Sequence, residues 1–183
     1  MTPSHEKFAA LFNELYPKLC RFLECLLGER SSAQDIAQES FLQLYRFGTQ
    51  RLPMEEARFW LFRVARNLAL NELNKRQTRL KLFHLIPGPL RLERPNPEAE
   101  LEQAEQSNLL WDLLKSLPEH QRAILLLREQ EEMSYREIAR LLNISESKVK
   151  VDLFRARCAL REEWGTRQQA AASAGKRQQR NQV

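Results

Sequence analysis

The chain has 183 residues, a formal net charge of +5 at pH 7 and a pI near 9.3, with 29 basic side chains against 24 acidic ones. This length admits one large domain or two small ones, and so mild a basic excess is consistent with a polyanionic partner without requiring one. The sequence has no apolar run long enough to cross a bilayer and no signal-peptide core, so we expect a cytoplasmic protein with no membrane insertion.

Apolar residues three and four positions apart predict three helices in the first part of the chain, and the presence of only five glycines favours an all-α fold. The first helix spans residues 8–27, contains Pro17, which is expected to kink or break it, and ends at Gly28. The second spans about 31–47 and the third about 55–76. The predicted buried face of the second helix consists of Ile36, Ala37, Ser40, Phe41, Leu44 and Tyr45.

The composition changes after Gln77, where several prolines are followed by an acidic stretch. This change indicates an interdomain linker over residues 80–104, between a first domain at 1–79 and a second at 105–165. Residues 166–183 contain too few apolar side chains to pack and are predicted to form a disordered tail. The sequence thus predicts two small helical domains joined by a flexible linker.

Residues 134–161 predict a helix-turn-helix in the second domain. Ser134 and Glu137 have the spacing of a capping box, which starts the first of its helices. Asn143 tolerates the left-handed conformation that a sharp turn needs, and Ser145 can cap the second helix. This motif is typical of DNA-binding proteins.

The outward face of the second of these helices carries groups that suit DNA. Its predicted buried stripe is Val149, Leu153, Ala156 and Leu160, and its predicted outward face is Ser147, Lys148, Lys150, Val151, Asp152, Phe154, Arg155 and Arg157. These side chains can supply phosphate anchors, base-edge hydrogen bonds and an apolar contact for a thymine methyl. The alternative is an ordinary helical hairpin whose basic face is only solvated.

The helix at 55–76 carries a second signal for nucleic acid. One of its stripes, at three- and four-residue intervals, consists of Trp60, Arg63, Asn67, Asn71 and Asn74, with the basic residues Arg66, Lys75, Arg76 and Arg79 nearby. An aromatic ring can stack on an unpaired base, amides can bind exposed base edges, and cations can hold the backbone. The alternative is a half-buried tryptophan on a polar helix, but three asparagines on one helical face require some compensating use.

The chain thus combines a surface suited to single-stranded nucleic acid, a linker and a helix-turn-helix suited to duplex DNA. This combination is suited to the opening of a promoter. From about Phe8 to Trp164 the sequence resembles a bacterial RNA polymerase sigma factor of the extracytoplasmic-function (ECF, group IV) type, which has only sigma domains 2 and 4. The resemblance implies a non-enzymatic subunit that binds core RNA polymerase through the beta-prime clamp helices and the beta flap, and binds promoter DNA. It also implies an anti-sigma partner, with the chain a monomer when free or a heterodimer with that partner.

The resemblance also assigns residues. The segment 35–42 is similar to the family's D-x-x-Q-E-x-F, which docks on the clamp helices, and implies that role for Asp35, Gln38, Glu39 and Leu42. Residues 59–67 resemble the helix that engages the melted minus-ten element, and the loop from Phe47 to Met54 corresponds to one that captures a flipped base. The implied minus-ten contacts are Phe47, Trp60, Arg63, Arg66, Asn67, Asn71 and Asn74.

The helix-turn-helix is the implied reader of the minus-thirty-five element. Its implied contacts are Ser147, Lys148, Lys150, Val151, Asp152, Phe154 and Arg155. Many relatives have Val-Arg-Ser-Arg where this chain has residues 149–152, so Lys150 lacks the guanidinium fork that reads guanine and Asp152 is expected to repel phosphate unless it accepts a hydrogen bond from cytosine.

Two other classes of function compete with this one. A stand-alone helix-turn-helix regulator would act without being a polymerase subunit, but the segment 35–42 and the stripe through Trp60 argue against it. An enzyme is disfavoured because the sequence has no phosphate-binding glycine loop and no nucleophile beside a base. Cys20, Cys25 and Cys158 suit reduced thiols better than a disulfide framework, and we expect neither a metal nor a cofactor.

Overall fold

The computed structural model describes residues 3–47, 52–83 and 110–180. Within these ranges the regular structure is entirely helical, as the sequence predicts. The helices are α1 (Pro3–Leu27), α2 (Arg30–Phe47), α3 (Met54–Phe83), α4 (Glu119–Glu129), α5 (Tyr135–Leu142) and α6 (Glu146–Arg180), and residues 110–114 are also helical. Most of the predicted linker, at 84–104, and residues 48–51 of the predicted base-capture loop lie outside the described residues.

The first bundle is formed by α1, α2 and α3. Its core is apolar and aromatic: the rings of Phe22 and Phe62 meet edge to face at 5.4 Å and both side chains are fully buried. The helix α1 is not broken at Pro17, because the buried side chains on either side of it, Leu15 and Leu19, hold both halves against the same core. It ends as predicted at Gly28, which has a φ of 75°.

The second bundle contains α4, α5, α6 and the helical segment 110–114. The predicted helix-turn-helix is present in α5 and α6. Ser134 and Glu137 form a capping box, with the Ser134 N–H donating to Glu137 Oε2 at 2.7 Å and the Glu137 N–H donating to Ser134 Oγ at 3.2 Å. Asn143 adopts the left-handed conformation, with φ 55° and ψ 50°, and the Lys148 N–H donates to Ser145 Oγ at 3.2 Å.

Two helices are longer than the sequence indicates. The helix α3 continues to Phe83 rather than ending near residue 76. The helix α6 continues through Gly165 to Arg180, into the segment that the sequence predicts to be a tail. Arg167 supports this extension because its Nε donates to Glu163 at 2.9 Å and its Nη1 lies 3.7 Å from Asp112 Oδ2.

The two bundles lie against each other in the described structure. Their buried apolar residues form one continuous cluster. Arg122 of α4, only 8% exposed, donates from Nη1 to the carbonyl of Leu26 at the end of α1 over 2.7 Å. The division into two domains remains a prediction, but the contact between the bundles determines which surfaces are open.

Candidate polymerase and nucleic-acid interfaces

The stripe predicted to bind unpaired bases lies on α3 and is largely open to solvent. We call Trp60, Arg63, Asn67, Asn71 and Asn74 the strand face. Its arginine and all three asparagines are exposed, and Trp60 is partly buried. Phe47, at the end of α2, stacks on Trp60 with ring centroids 5.7 Å apart and 28° between the planes, and 65% of Phe47 is exposed. The structure therefore brings two aromatic rings from different helices together at one end of the strand face.

Two arginines near this stripe are engaged elsewhere. Arg66 is mostly buried, and its Nε lies 3.6 Å from Glu119 Oε1 of α4. The Arg76 guanidinium ties α3 to the start of α2 through Glu29 Oε2 at 2.6 Å. Hydrogen bonds from Ser31 and Ser32, with the charge of Arg76, hold the pKa of Glu29 below its usual range. In this arrangement Arg66 and Arg76 are held by carboxylates of the protein, whereas Arg63 is open to a phosphate.

One end of the strand face forms a cleft with α5. The cleft is lined by Leu52, Glu55, Glu56, Phe59, Trp60, Arg63, Glu137 and Arg140. The guanidinium carbon of Arg140 lies 4.9 Å from the centroid of the Phe59 ring, which is a cation–π contact between the two bundles. Sequence reasoning did not predict this contact, because the two residues are far apart in the chain.

The residues assigned to core polymerase lie on the side of α2 opposite the core. Asp35, Gln38 and Glu39 are exposed, and Leu42 is 51% exposed. We call these four residues the polymerase face. Exposed acidic groups beside an exposed leucine are suited to a partner surface that has basic side chains around an apolar patch.

Tyr45 was predicted to be buried in α2, and this prediction is wrong. The side chain is 54% exposed and meets the ring of Phe8 edge to face at 5.3 Å. Its position lies at the margin of the buried stripe, so the helical period alone does not distinguish a core residue from a boundary residue. Tyr45 adds exposed aromatic surface one turn after Leu42 on α2.

The predicted outward face of α6 is confirmed at most positions. Ser147, Lys148, Lys150, Val151, Phe154 and Arg155 are exposed, and Phe154 is the most open of the apolar ones at 68%. The Lys150 ammonium lies 5.8 Å from the Tyr135 ring centroid, close enough for that ring to help orient it. We call these six residues the recognition face.

Asp152 was also predicted to face outward, and here the prediction is wrong. Asp152 is only 1% exposed. It follows Val149 by three positions and precedes Ala156 by four, and both of these are completely buried, so the helical period places Asp152 on the inner stripe. Lys148 Nζ lies 2.9 Å from Asp152 Oδ2 and donates to Oδ1 at 3.0 Å. The carboxylate is therefore paired within the helix and is not presented to DNA.

The three cysteines are free thiols and partly buried. Burial raises the pKa of the Cys20 and Cys25 thiols, so both remain protonated near neutral pH. Within residues 3–47, 52–83 and 110–180, no group of three or more His, Cys, Asp or Glu side chains is placed to hold a metal ion. In the same part of the chain, no helix combines the length and apolarity that a membrane span requires.

These surfaces and the all-α fold with a helix-turn-helix define a DNA-binding protein of the transcription apparatus. The chain matches the family models described as Sigma-70 region 2, over residues 11–79, and Sigma-70, region 4, over residues 107–160. It is 29% identical to the ECF RNA polymerase sigma factor SigM of Bacillus subtilis, over 85% of this chain and 91% of that protein. It is 30% identical to the ECF RNA polymerase sigma-E factor of Haemophilus influenzae, over 70% of this chain and 72% of that one. The chain therefore belongs to the ECF family of RNA polymerase sigma factors.

Solved structures share the fold. The sigma factor RpoE of Bartonella quintana, in complex with the anti-sigma factor NepR, matches with a TM-score of 0.67 at 20% identity, over 86% of this chain and 96% of that one. CnrH, in complex with the cytosolic domain of CnrY, also matches with a TM-score of 0.67, at 18% identity, over 90% of this chain and 91% of that one. Sigma factors are non-catalytic DNA-binding subunits of RNA polymerase. The match to region 2 disfavours the alternative of a stand-alone helix-turn-helix regulator.

Proposed function

We propose that this sigma factor attaches core RNA polymerase to promoters through three separate surfaces, which are the polymerase face on α2, the strand face on α3 and the recognition face on α6. The observation that carries the proposal is that one chain presents both a stripe suited to unpaired bases and a basic helix suited to duplex DNA. A regulator that only binds duplex has no use for the strand face. In this proposal core polymerase catalyses RNA synthesis, and this chain selects the promoter.

The strand face is proposed to hold the non-template strand of the melted minus-ten element. Trp60 and Phe47 offer stacked aromatic surfaces at one end, and a base that leaves the duplex can continue that stack. Asn67 and Asn71 lie farther along the same side of α3, where their amides can donate to and accept from base edges. Arg63 is exposed, lies between Trp60 and Asn67 on the strand face, and is proposed to hold a phosphate.

The recognition face is proposed to bind the minus-thirty-five element in the major groove. Arg155 is exposed and can bind guanine through two hydrogen bonds, and Lys150 can hold a phosphate or a base edge. Val151 and Phe154 offer apolar surface to thymine methyl groups. We do not propose Asp152 as a contact, because its carboxylate is buried and paired with Lys148.

The polymerase face is proposed to dock on the beta-prime clamp helices, with the second bundle reaching the beta flap. Asp35 and Glu39 would pair with basic groups of the clamp, while Leu42 would enter an apolar contact. An anti-sigma factor is the second proposed partner. It is supported by the solved structure of the sigma factor RpoE, which has a similar fold, in complex with the anti-sigma factor NepR. We also propose that the chain acts in the cytoplasm and is a monomer when unbound.

Reconstitution with core RNA polymerase tests the proposal. Purified chain and core enzyme are incubated with a fragment library of a bacterial genome, and the transcripts are sequenced. We expect initiation at a set of sites that share two sequence elements, and no initiation from core enzyme alone. Association without specific initiation, or no association, would refute the proposal.

A further inference from the structure

The recognition helix α6 contains a buried carboxylate, that of Asp152, which is only 1% exposed. Lys148 Nζ donates to Asp152 Oδ1 at 3.0 Å and lies 2.9 Å from Oδ2. Oδ2 is itself buried and accepts no well-formed hydrogen bond in the part of the chain that the structure describes. Because burial removes the hydration of a carboxylate, the group needs a cation beside it. Within the described residues, Lys148 is that cation.

The Lys148 side chain is restrained at both ends, although half of it is exposed. An exposed ion pair four residues apart on a helix is usually weak, because both side chains move. Here the acceptor is fixed by packing, since Asp152 lies on the inner stripe between Val149 and Ala156, which are completely buried. The Lys148 backbone is fixed as well, because its N–H donates to Ser145 Oγ at 3.2 Å. The ammonium is therefore held at one place on α6.

The restrained ammonium still has a hydrogen to donate. A lysine ammonium has three N–H donors, and the two oxygens of Asp152 can occupy at most two of them. Lys148 lies in the first turn of α6, beside the exposed Ser147 of the recognition face. The N-terminal residues of a recognition helix enter the major groove, whose edges are formed by phosphates. One donor of Lys148 is thus fixed by the protein while another is open to DNA.

We propose that Asp152 is a positioning residue for DNA binding, which directs the Lys148 ammonium to one phosphate at the edge of the minus-thirty-five element and offsets its charge elsewhere. This inference rests on the proposed function of the recognition face. A mobile lysine attracts the phosphates of any sequence, whereas a restrained and paired one contributes when α6 lies in its specific register. Because specificity is a difference between two affinities, Asp152 raises specificity without touching DNA.

Asp152→Asn tests the proposal in the full-length chain bound to core polymerase. The affinity is measured for a promoter fragment obtained from the reconstitution and for the same fragment with a scrambled minus-thirty-five element, and the readout is the ratio of the two affinities. We expect Asp152→Asn to lower this ratio about three- to tenfold, the effect of one misplaced hydrogen bond. Glu146→Gln removes a negative charge from an exposed position in the same turn and should leave the ratio unchanged within about twofold.

A second pair of variants shows whether the effect passes through the lysine. Lys148→Met removes the ammonium and keeps an unbranched side chain. In this background Asp152→Asn should change the ratio by less than about twofold, because no ammonium remains to be directed. A purely structural role of Asp152 would instead lower the ratio equally in both backgrounds. Circular dichroism at the assay temperature is used to verify that each variant retains its helices.

A phosphate scan gives an independent measurement that leaves Asp152 unaltered. Each phosphate around the minus-thirty-five element is replaced in turn by an uncharged methylphosphonate, and the loss of affinity is compared between the parental chain and Lys148→Met. We expect the two proteins to differ at a single phosphate, because the ammonium is held at one place. A difference spread over several phosphates, or no difference at any of them, would contradict the positioning role.

Arg155→Ala is the reference that separates the inference from the function beneath it. If Arg155→Ala lowers the ratio while Asp152→Asn leaves it unchanged, the positioning role is overturned and the recognition face stands. The same conclusion follows if Asp152→Asn acts equally with and without Lys148. If neither Arg155→Ala nor Lys148→Met lowers the ratio, the recognition face itself is overturned.

Discussion

The pair formed by Lys148 and Asp152 makes a quantitative prediction about stability. At 2.9 Å and an effective dielectric constant of about 20, the attraction between the two charges is about 6 kcal/mol before any desolvation is counted. Half of the Lys148 side chain is exposed, so water screens much of this attraction, but Asp152 is buried and cannot recover hydration when its partner is lost. We expect Lys148→Ala to lower the free energy of unfolding by about 1–3 kcal/mol, the penalty for an unpaired buried polar group.

The measurement is urea denaturation followed by circular dichroism, with two matched variants. Lys150→Ala removes the same charge two residues farther along α6, where the lysine lies over the Tyr135 ring, and should cost less than about 1 kcal/mol. Lys148→Ala combined with Asp152→Ser removes the buried charge together with its partner and should recover about 1–2 kcal/mol of the loss. The reasoning is refuted if Lys148→Ala destabilises no more than Lys150→Ala, or if the double variant recovers nothing.

The remaining predictions concern the three proposed surfaces. Replacing Trp60 and Asn67 with alanine should leave association with core polymerase unchanged but reduce permanganate reactivity of promoter thymines; normal reactivity would contradict the strand face. Replacing Asp35 and Glu39 with alanine should lower the affinity for core polymerase in a pull-down assay, and retention at the parental level would exclude the polymerase face. Arg155→Ala should weaken promoter binding by about 1–3 kcal/mol if it binds guanine bidentately, and should relax sequence preference at that base pair; unchanged affinity in a gel-shift titration would remove it from the interface.

Local signals in the sequence are sufficient to predict the helix-turn-helix. The capping box at Ser134 and Glu137 and the left-handed turn at Asn143 each depend on residues within a few positions of one another, so their chemistry is independent of the rest of the chain. The same period that placed Val149 and Leu153 inside also places Asp152 inside. Assigning Asp152 by its polarity rather than by its helical phase produced the error, and the presence of Lys148 one turn earlier is the signal that could have corrected it.

The contact between the bundles has no such local signature. Arg122 and the carbonyl it binds are 96 residues apart, and Arg58 and Glu131 are 73 apart. Nothing in the composition of either segment marks one as the partner of the other. The extension of α6 past Gly165 is similar, since the ion pair that supports it joins Arg167 to Asp112.

The contact between the bundles contains more charged groups than the interior of the first bundle does. Within the first bundle, contacts such as Phe22 on Phe62 are apolar and lose their stabilisation when they are parted. Between the bundles, buried and partly buried arginines bound to carbonyls and carboxylates lie beside the shared apolar cluster, so the contact combines charge-assisted hydrogen bonds with apolar burial.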